Sequence, residues 1–181
     1  MISRSQFRTM QERGFELFKS SGLFVLEAEL DKIEVADFGL GAPWIEGAQI
    51  LNFVQTNRYA AKIIGLLPGQ TLPEHWHPPV GEDPGKQETV RVAWGTLYLY
   101  VAGADSLKRG KLPDGKEKVY TIRNELVFEP GATRTFEPGE KHWFQGGPHG
   151  VVFYSFSSVV RDALDGFTDP SIQRVTRVTE D

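Results

Sequence analysis

Apolar and polar positions alternate along most of this chain, and glycine or proline interrupts the alternation every few residues. A two-residue period marks half-buried strands, because successive side chains on a strand point to opposite faces. The period runs through FVLEAEL (24–30), AQILNFVQT (48–56), YAAKIIGLL (59–67) and PGQTLPEHWH (68–77). ETVRVAW, Gly95 and TLYLYVAG then predict a strand, a bend and a strand. YTIRNELVFEPG, TRTFEPGEKHWFQGG and GVVFYSFSSVV continue the pattern. The polar stretch ADSLKRGKLPDGKEKV (104–119) predicts an exposed loop or hairpin. One helical pattern stands at the start: Phe7, Met10, Leu17 and Phe18 fall near a 3.6-residue period, Ser3 and Gln6 form a capping-box pair, and Gly22 ends it.

Many short strands with closely spaced turn signals predict an all-β sandwich or barrel. The expected organisation is one domain over 1–181, with a helix at about 3–20, a β core at about 23–160 and a polar C-terminal extension at 161–181. That extension predicts an arm across a neighbouring surface or a frayed tail.

Composition narrows the function. The net charge of −4 is spread along the chain and no lysine–arginine block stands out, which argues against a nucleic-acid partner. There is no cysteine, so a thiolate metal site, a disulfide framework and a cysteine nucleophile are excluded. No apolar run approaches the ~18 residues of a membrane span, and the N-terminus lacks a signal-peptide core. A soluble cytoplasmic protein with no membrane partner is expected.

The candidate chemistry lies in HWHPPVGEDPGKQE (75–88). His75 and His77 point to the same side of one strand, and Trp76 points away. Glu88 opens the next strand across the loop, so pairing of the two strands brings its carboxylate near the same point. His142 follows a turn in PGEKHWF. Three imidazoles and a carboxylate form an N/O donor set suited to Mn, Fe, Co, Ni or Zn. Each histidine taken singly reads as a surface or hydrogen-bonded residue; the H-x-H pair and its framing glycines favour an ion.

Gly69, His75-Trp76-His77, Glu88 and Gly95 resemble the first cupin motif, and GEKH at 139–142, preceded by Pro138, resembles the second. The resemblance covers about residues 50–158 and implies a jelly-roll β-barrel. Three details depart from it. The spacer from His77 to Glu88 has ten residues, far more than in common cupins; Pro138 directly precedes Gly139; and no asparagine follows His142 at the usual place. The long spacer, with Lys86 two residues before Glu88, is similar to the D-lyxose isomerase family of manganese-dependent cupin sugar isomerases, and HWFQGG fits the same family. This resemblance implies metal ligands His75, His77, Glu88 and His142, a divalent cofactor such as Mn²⁺, and a small sugar substrate. It implies conversion of D-lyxose to D-xylulose, with D-mannose to D-fructose as a second pair. Cupins are commonly homodimers, and the N-terminal helix or C-terminal arm is available for an interface.

In such a reaction the ion acts as a Lewis acid and a proton moves between C2 and C1 through an enediolate. Relatives carry acidic residues on and after the last core strand, but FYSFSSVVRDALDGF contains no glutamate. Either Asp162 or Asp165 takes the catalytic role, or another group does, or the reaction differs; Glu74 and Glu82 are further candidates for the base. Lys86 is expected to contact substrate and move protons, with its pKa lowered by the nearby ion; its alternative is a solvated loop lysine. Trp94 and Phe144 have the strand parity to line the pocket, with aromatic core as the favoured alternative; His149 in GGPHG is a candidate substrate contact at the barrel mouth, with an exposed loop histidine as its favoured alternative. Trp76 and Trp143 are expected in the core, and Arg91 and Arg134 carry no specific signal. Rival readings are a sugar-phosphate isomerase using Thr71, Lys86, Thr89 and Arg91, an iron dioxygenase, a non-catalytic sugar-binding cupin, and a metal-free structural cupin.

Overall fold

The structure, a computed structural model, describes residues 1–180. A short strand β1 (Ile2–Ser3) leads into α1 (Arg4–Ser20). Its capping box is formed as the sequence predicts: Gln6 N donates to Ser3 Oγ at 3.2 Å, and Ser3 N donates to Gln6 Oε1 at 2.9 Å. Gly22 follows at φ 82°. The apolar stripe Met10, Phe15, Leu17 and Phe18 packs on Ile33, Val35, Leu51, Ile63 and Val152, which lie on the outer face of the sheet.

The remaining strands are β2 (Glu34–Ala36), β3 (Ala48–Gln55), β4 (Tyr59–Leu66), β5 (Thr71–Trp76), β6 (Glu88–Val101), β7 (Asn124–Phe128), β8 (Thr133–Phe136), β9 (His142–Ser158), β10 (Gly166–Phe167) and β11 (Val178–Thr179). Nine of them form one curled sheet in the order β10-β5-β9-β4-β3-β2, with β6 pairing β9 on one edge and β7 and β8 on the other. The all-β expectation, with an N-terminal helix, holds. The inner face carries Ile50, Ile64, Leu72, Val90, Leu97, Leu99, Phe136, Phe144, Val151 and Phe153, all buried. Alternation on β4, β6 and β9 supplies most of these residues from inward positions, and Ile50, Leu72 and Phe136 come from β3, β5 and β8. No helix among the described residues is long and apolar enough to cross a membrane.

Two expectations are corrected. FVLEAEL is not a strand: Glu27–Lys32 is a 3₁₀ helix, with Glu29 N bonded to Leu26 O and Ile33 N to Leu30 O. Phe24 and Leu26 are exposed, because no neighbouring strand covers them; alternation specifies a strand only where one face is buried. The C-terminal extension is not a frayed tail. It returns across this chain's own barrel, where Phe167 pairs with His75 and Gly166 with Trp76, and β11 runs parallel to β1.

The predicted bend at Gly95 is a discontinuity inside one long β6. Bulges fall between Val92 and Trp94 and between Gly95 and Leu97 in the β6–β9 ladder. Gly95 sits at φ 74°, and a Cβ there would lie 2.2 Å from Gly150 O. Gly95→Ala is therefore expected to destabilise the fold by about 2 kcal/mol or more, lowering Tm by roughly 4–8 °C in thermal unfolding. An unchanged Tm would show that the ladder relaxes there.

Candidate metal centre

The β5–β9 register places His75 directly opposite His142. A bulge between Leu72 and His75 keeps both of those residues on the inner face, and His77 follows with the same parity as His75. The β6–β9 register brings Glu88 opposite Ser157 at the same end of the barrel. His75, His77, Glu88 and His142 are all buried, and one donor atom from each lies within 4.8 Å of the others. The four predicted ligands are thus brought together from three strands and a loop.

The hydrogen bonds leave the Nε2 atoms for an ion. His75 Nδ1 pairs with Pro73 O at 2.8 Å, His142 Nδ1 with Glu140 O at 2.9 Å, and His77 Nδ1 with Asp165 Oδ1 at 2.8 Å. Each acceptor fixes the ring's tautomer and orientation. His142 Nε2 is buried with no hydrogen-bond partner among the described residues, an arrangement that a metal ion would satisfy. His77 Nε2 and Glu88 Oε2 are 2.9 Å apart. Ligand atoms about 2.1 Å from an ion and at right angles to each other lie roughly 3 Å apart, so this spacing fits a shared ion. The residues fit a divalent metal held by N and O donors.

Burial, with the neighbouring histidines, holds the His75 imidazole well below its ordinary pKa and pushes His142 down to about 3. Both are neutral and available as ligands. Burial also opposes charge on His77, but Asp165 and Glu88 outweigh it and raise the pKa. For Glu88, burial is outweighed by Lys86 and His77, which hold the carboxyl well below its usual range. Ser155 Oγ donates to Glu88 Oε1.

Beside the cage lies a small cavity of about 30 Å³, lined by Lys62, Lys86, Phe144, Asp162, Asp165 and Arg174 among others. Such a volume holds about one water molecule. Lys86 is buried, not solvated, and its Nζ lies 2.9 Å from Asp162 Oδ1 and 3.5 Å from Glu88 Oε2. The lowering of its pKa expected from a nearby ion is opposed by the protein's own carboxylates. Burial favours the neutral amine, but Glu88, Asp162 and Asp165 outweigh burial and raise it. Asp162 is held far below its usual value: burial is overcome by Lys86, Lys62 and Arg174.

Phe144 reaches the cavity wall as its parity predicts. Trp94 and His149 do not: both line a groove on the outer face against α1, beside Glu12, Arg13 and Leu17. The bulge after Val92 reverses inside and outside on β6, so counting by twos from Glu88 misplaces Trp94. His149 is exposed on β9, near that same groove. Glu74 is turned outward, where it accepts from Thr121 N, Ile122 N and the hydroxyls of Thr121 and Thr168. Glu82 is exposed, Arg134 pairs with Glu140, and Arg91 bonds Thr133. Trp143 is in the core, stacked on Tyr100 with centroids 3.5 Å apart, and Trp76 is half-buried under Lys141.

Sequence reasoning missed Lys62 and Arg174. Lys62 shares the inward parity of Ile64 and Leu66 in an apolar strand, a signal that was there to be read. Arg174 had no local signal, because its position depends on the path of the C-terminal segment.

Comparison with known proteins now bears on this geometry. The D-lyxose isomerase family profile matches residues 46–181. A D-lyxose ketol-isomerase of Cohnella laeviribosi is 46% identical over 172 residues, covering 94% of each chain. A D-lyxose/D-mannose isomerase of Thermosediminibacter oceani is 43% identical over 181 residues, covering 99% of this chain and 100% of the other. Among solved structures, an L-ribose isomerase of Cellulomonas parahominis superposes with a TM-score of 0.79 over 98% of both chains at 14% identity, a likeness of fold. With a family match over three-quarters of its length and relatives above 40% identity along nearly all of it, this chain belongs to the D-lyxose isomerase family.

Proposed function

We propose that this protein is a metal-dependent aldose–ketose isomerase that converts free D-lyxose to D-xylulose, with D-mannose to D-fructose as a second reaction. The observation that carries the reading is a buried three-histidine, one-glutamate cage that shares a cavity with the Lys86–Asp162 ion pair. The names of the relatives support the substrate.

His75, His77, Glu88 and His142 would hold a divalent ion; the family resemblance implies Mn²⁺, and the N/O donor set accommodates it along with Fe, Co, Ni or Zn. A divalent ion in that cage supplies Lewis-acid polarisation of the sugar's carbonyl and adjacent hydroxyl. Asp165 acts through His77, whose Nδ1 it engages, and so orients a ligand. Lys86 and Asp162 stand in the protonation states that a hydrogen-bond donor and a proton acceptor require. Substrate enters by displacing the Lys86 ammonium from Asp162, which stays paired with Lys62. Removing Lys86 from Asp162 raises the carboxylate's proton affinity toward that of a working base. Asp162 then takes the proton from C2 as that C–H bond breaks and returns it to C1, while Lys86 passes the hydroxyl proton from O2 to O1 and ends in the charge state in which it began.

Unphosphorylated sugars are favoured because each cation lining the cavity is already paired: Lys62 with Asp162, Lys86 with Asp162 and Glu88, and Arg174 with Glu34 and Asp162. A phosphate would find no free partner among them.

The direct test is incubation with Mn²⁺ and a panel of free pentoses and hexoses, scored for ketose. D-lyxose is expected to react fastest without oxygen uptake; no ketose from any sugar, or oxygen consumption, would overturn the reading. His142→Ala is expected to lose both bound metal and activity, and stoichiometric metal by elemental analysis would sink the four-ligand cage. Asp165→Asn should weaken metal affinity roughly 10–100-fold in a chelator competition. Lys86→Ala should keep its metal while kcat falls on the order of 10²–10⁴-fold. Unchanged turnover would remove Lys86 from the chemistry.

A further inference from the structure

The two oxygens of Asp162 face different groups. Oδ1 meets Lys86 Nζ at 2.9 Å. Oδ2 meets Lys62 Nζ at 2.8 Å and the Arg174 guanidinium at 3.5 Å. Lys62 projects inward from β4, is 4% exposed, and has Asp162 as its ion-pair partner across one hundred residues of sequence. Arg174 is anchored in turn by Glu34 and lies 6.0 Å from the ring of Phe38.

A buried lysine in an apolar barrel is costly unless a carboxylate answers it, and the same carboxylate is costly without its cations. The barrel wall therefore grips the C-terminal segment by one oxygen of Asp162 and leaves the other toward the reacting end of the cavity. We infer that Lys62, assisted by Arg174, is a positioning residue that anchors Asp162 Oδ2 and so presents Oδ1 to substrate once Lys86 moves away. The inference rests on the isomerase reading above. Without the anchor, parting Lys86 from Asp162 would free the carboxylate to swing out with its segment. With it, one oxygen stays fixed on a rigid strand while the other works.

The test compares Lys62→Met, which keeps length and removes charge, with Lys62→Arg, both as full-length metal-loaded protein. Lys62→Met is expected to lower kcat on the order of tenfold to a hundredfold, the scale of a misplaced reacting group. KM should stay within about twofold and metal content should stay stoichiometric, because Lys62 is not a ligand. Lys62→Arg should recover most of the loss. Trypsin should cut faster after Arg161 in Lys62→Met than in wild type or Lys62→Arg, since the segment has lost its anchor. Wild-type kcat in Lys62→Met, loss of metal, or an equal loss in Lys62→Arg would overturn the inference. If wild type forms no ketose, the isomerase reading fails instead, and the trypsin comparison still decides whether Lys62 anchors the segment.

Discussion

Strand β9 is hydrogen-bonded along both edges, to β5 and then β4 on one side and to β6 on the other. That pairing sets the geometry of the site. It places His142 opposite His75, carries Ser155 to Glu88, and fixes which residues of β6 face inward. A slip of one residue would turn the whole set outward, since strand faces alternate with period two. The apolar residues at the inner positions make that slip costly. Register, and with it the metal cage, is thus held by hydrophobic burial.

Inside that frame, charge is tolerated only in company. Glu88, Lys86, Asp162, Lys62 and Arg174 form a chain of opposite charges on the cavity wall, ending at Glu34. Each would be expensive to bury alone. Together they tie four separated parts of the chain, β2, β4, the 77–88 loop and the C-terminal segment, to one end of the barrel. Asp165 adds a second tie through His77. The polar 102–123 connection is fastened to the outer side of the same region, where Glu74 joins it to Thr168 and Trp143 packs between Tyr100 and Tyr120. The ligand strand β5 is therefore braced on both faces.

The cavity is small because the C-terminal segment covers it. Gly166 lies against the Trp76 ring and Phe167 beside His75, so the segment forms part of the site's wall. Its ion pairs hold it closed and also carry the charged groups used by the proposed chemistry. The same residues that cover the site thus also contribute its charges.

Much of this was legible along the chain. Alternation and turn residues identified most of the strands, Ser3 and Gln6 the helix start, and the H-x-H parity with Glu88 and His142 the four side chains that could hold a metal. These are local facts: side-chain direction follows from strand geometry, and ligand choice from donor chemistry. Lys86 was singled out by its spacing from Glu88, but its pairing with Asp162 was not, because that depends on the path of the C-terminal segment. Trp94 has the parity of an inward residue and packs outside, because the bulges in β6 leave little trace in its composition, yet they exchange its faces; His149 is exposed, the alternative that its loop setting offered. FVLEAEL had the right pattern and no partner strand. The sequence by itself determined which residues could bind a metal and which segments could be strands. Only the tertiary structure decided which charges meet, because Lys62 is one hundred residues from Asp162 in the chain and joins it and Arg174 only when the C-terminal segment crosses the barrel mouth.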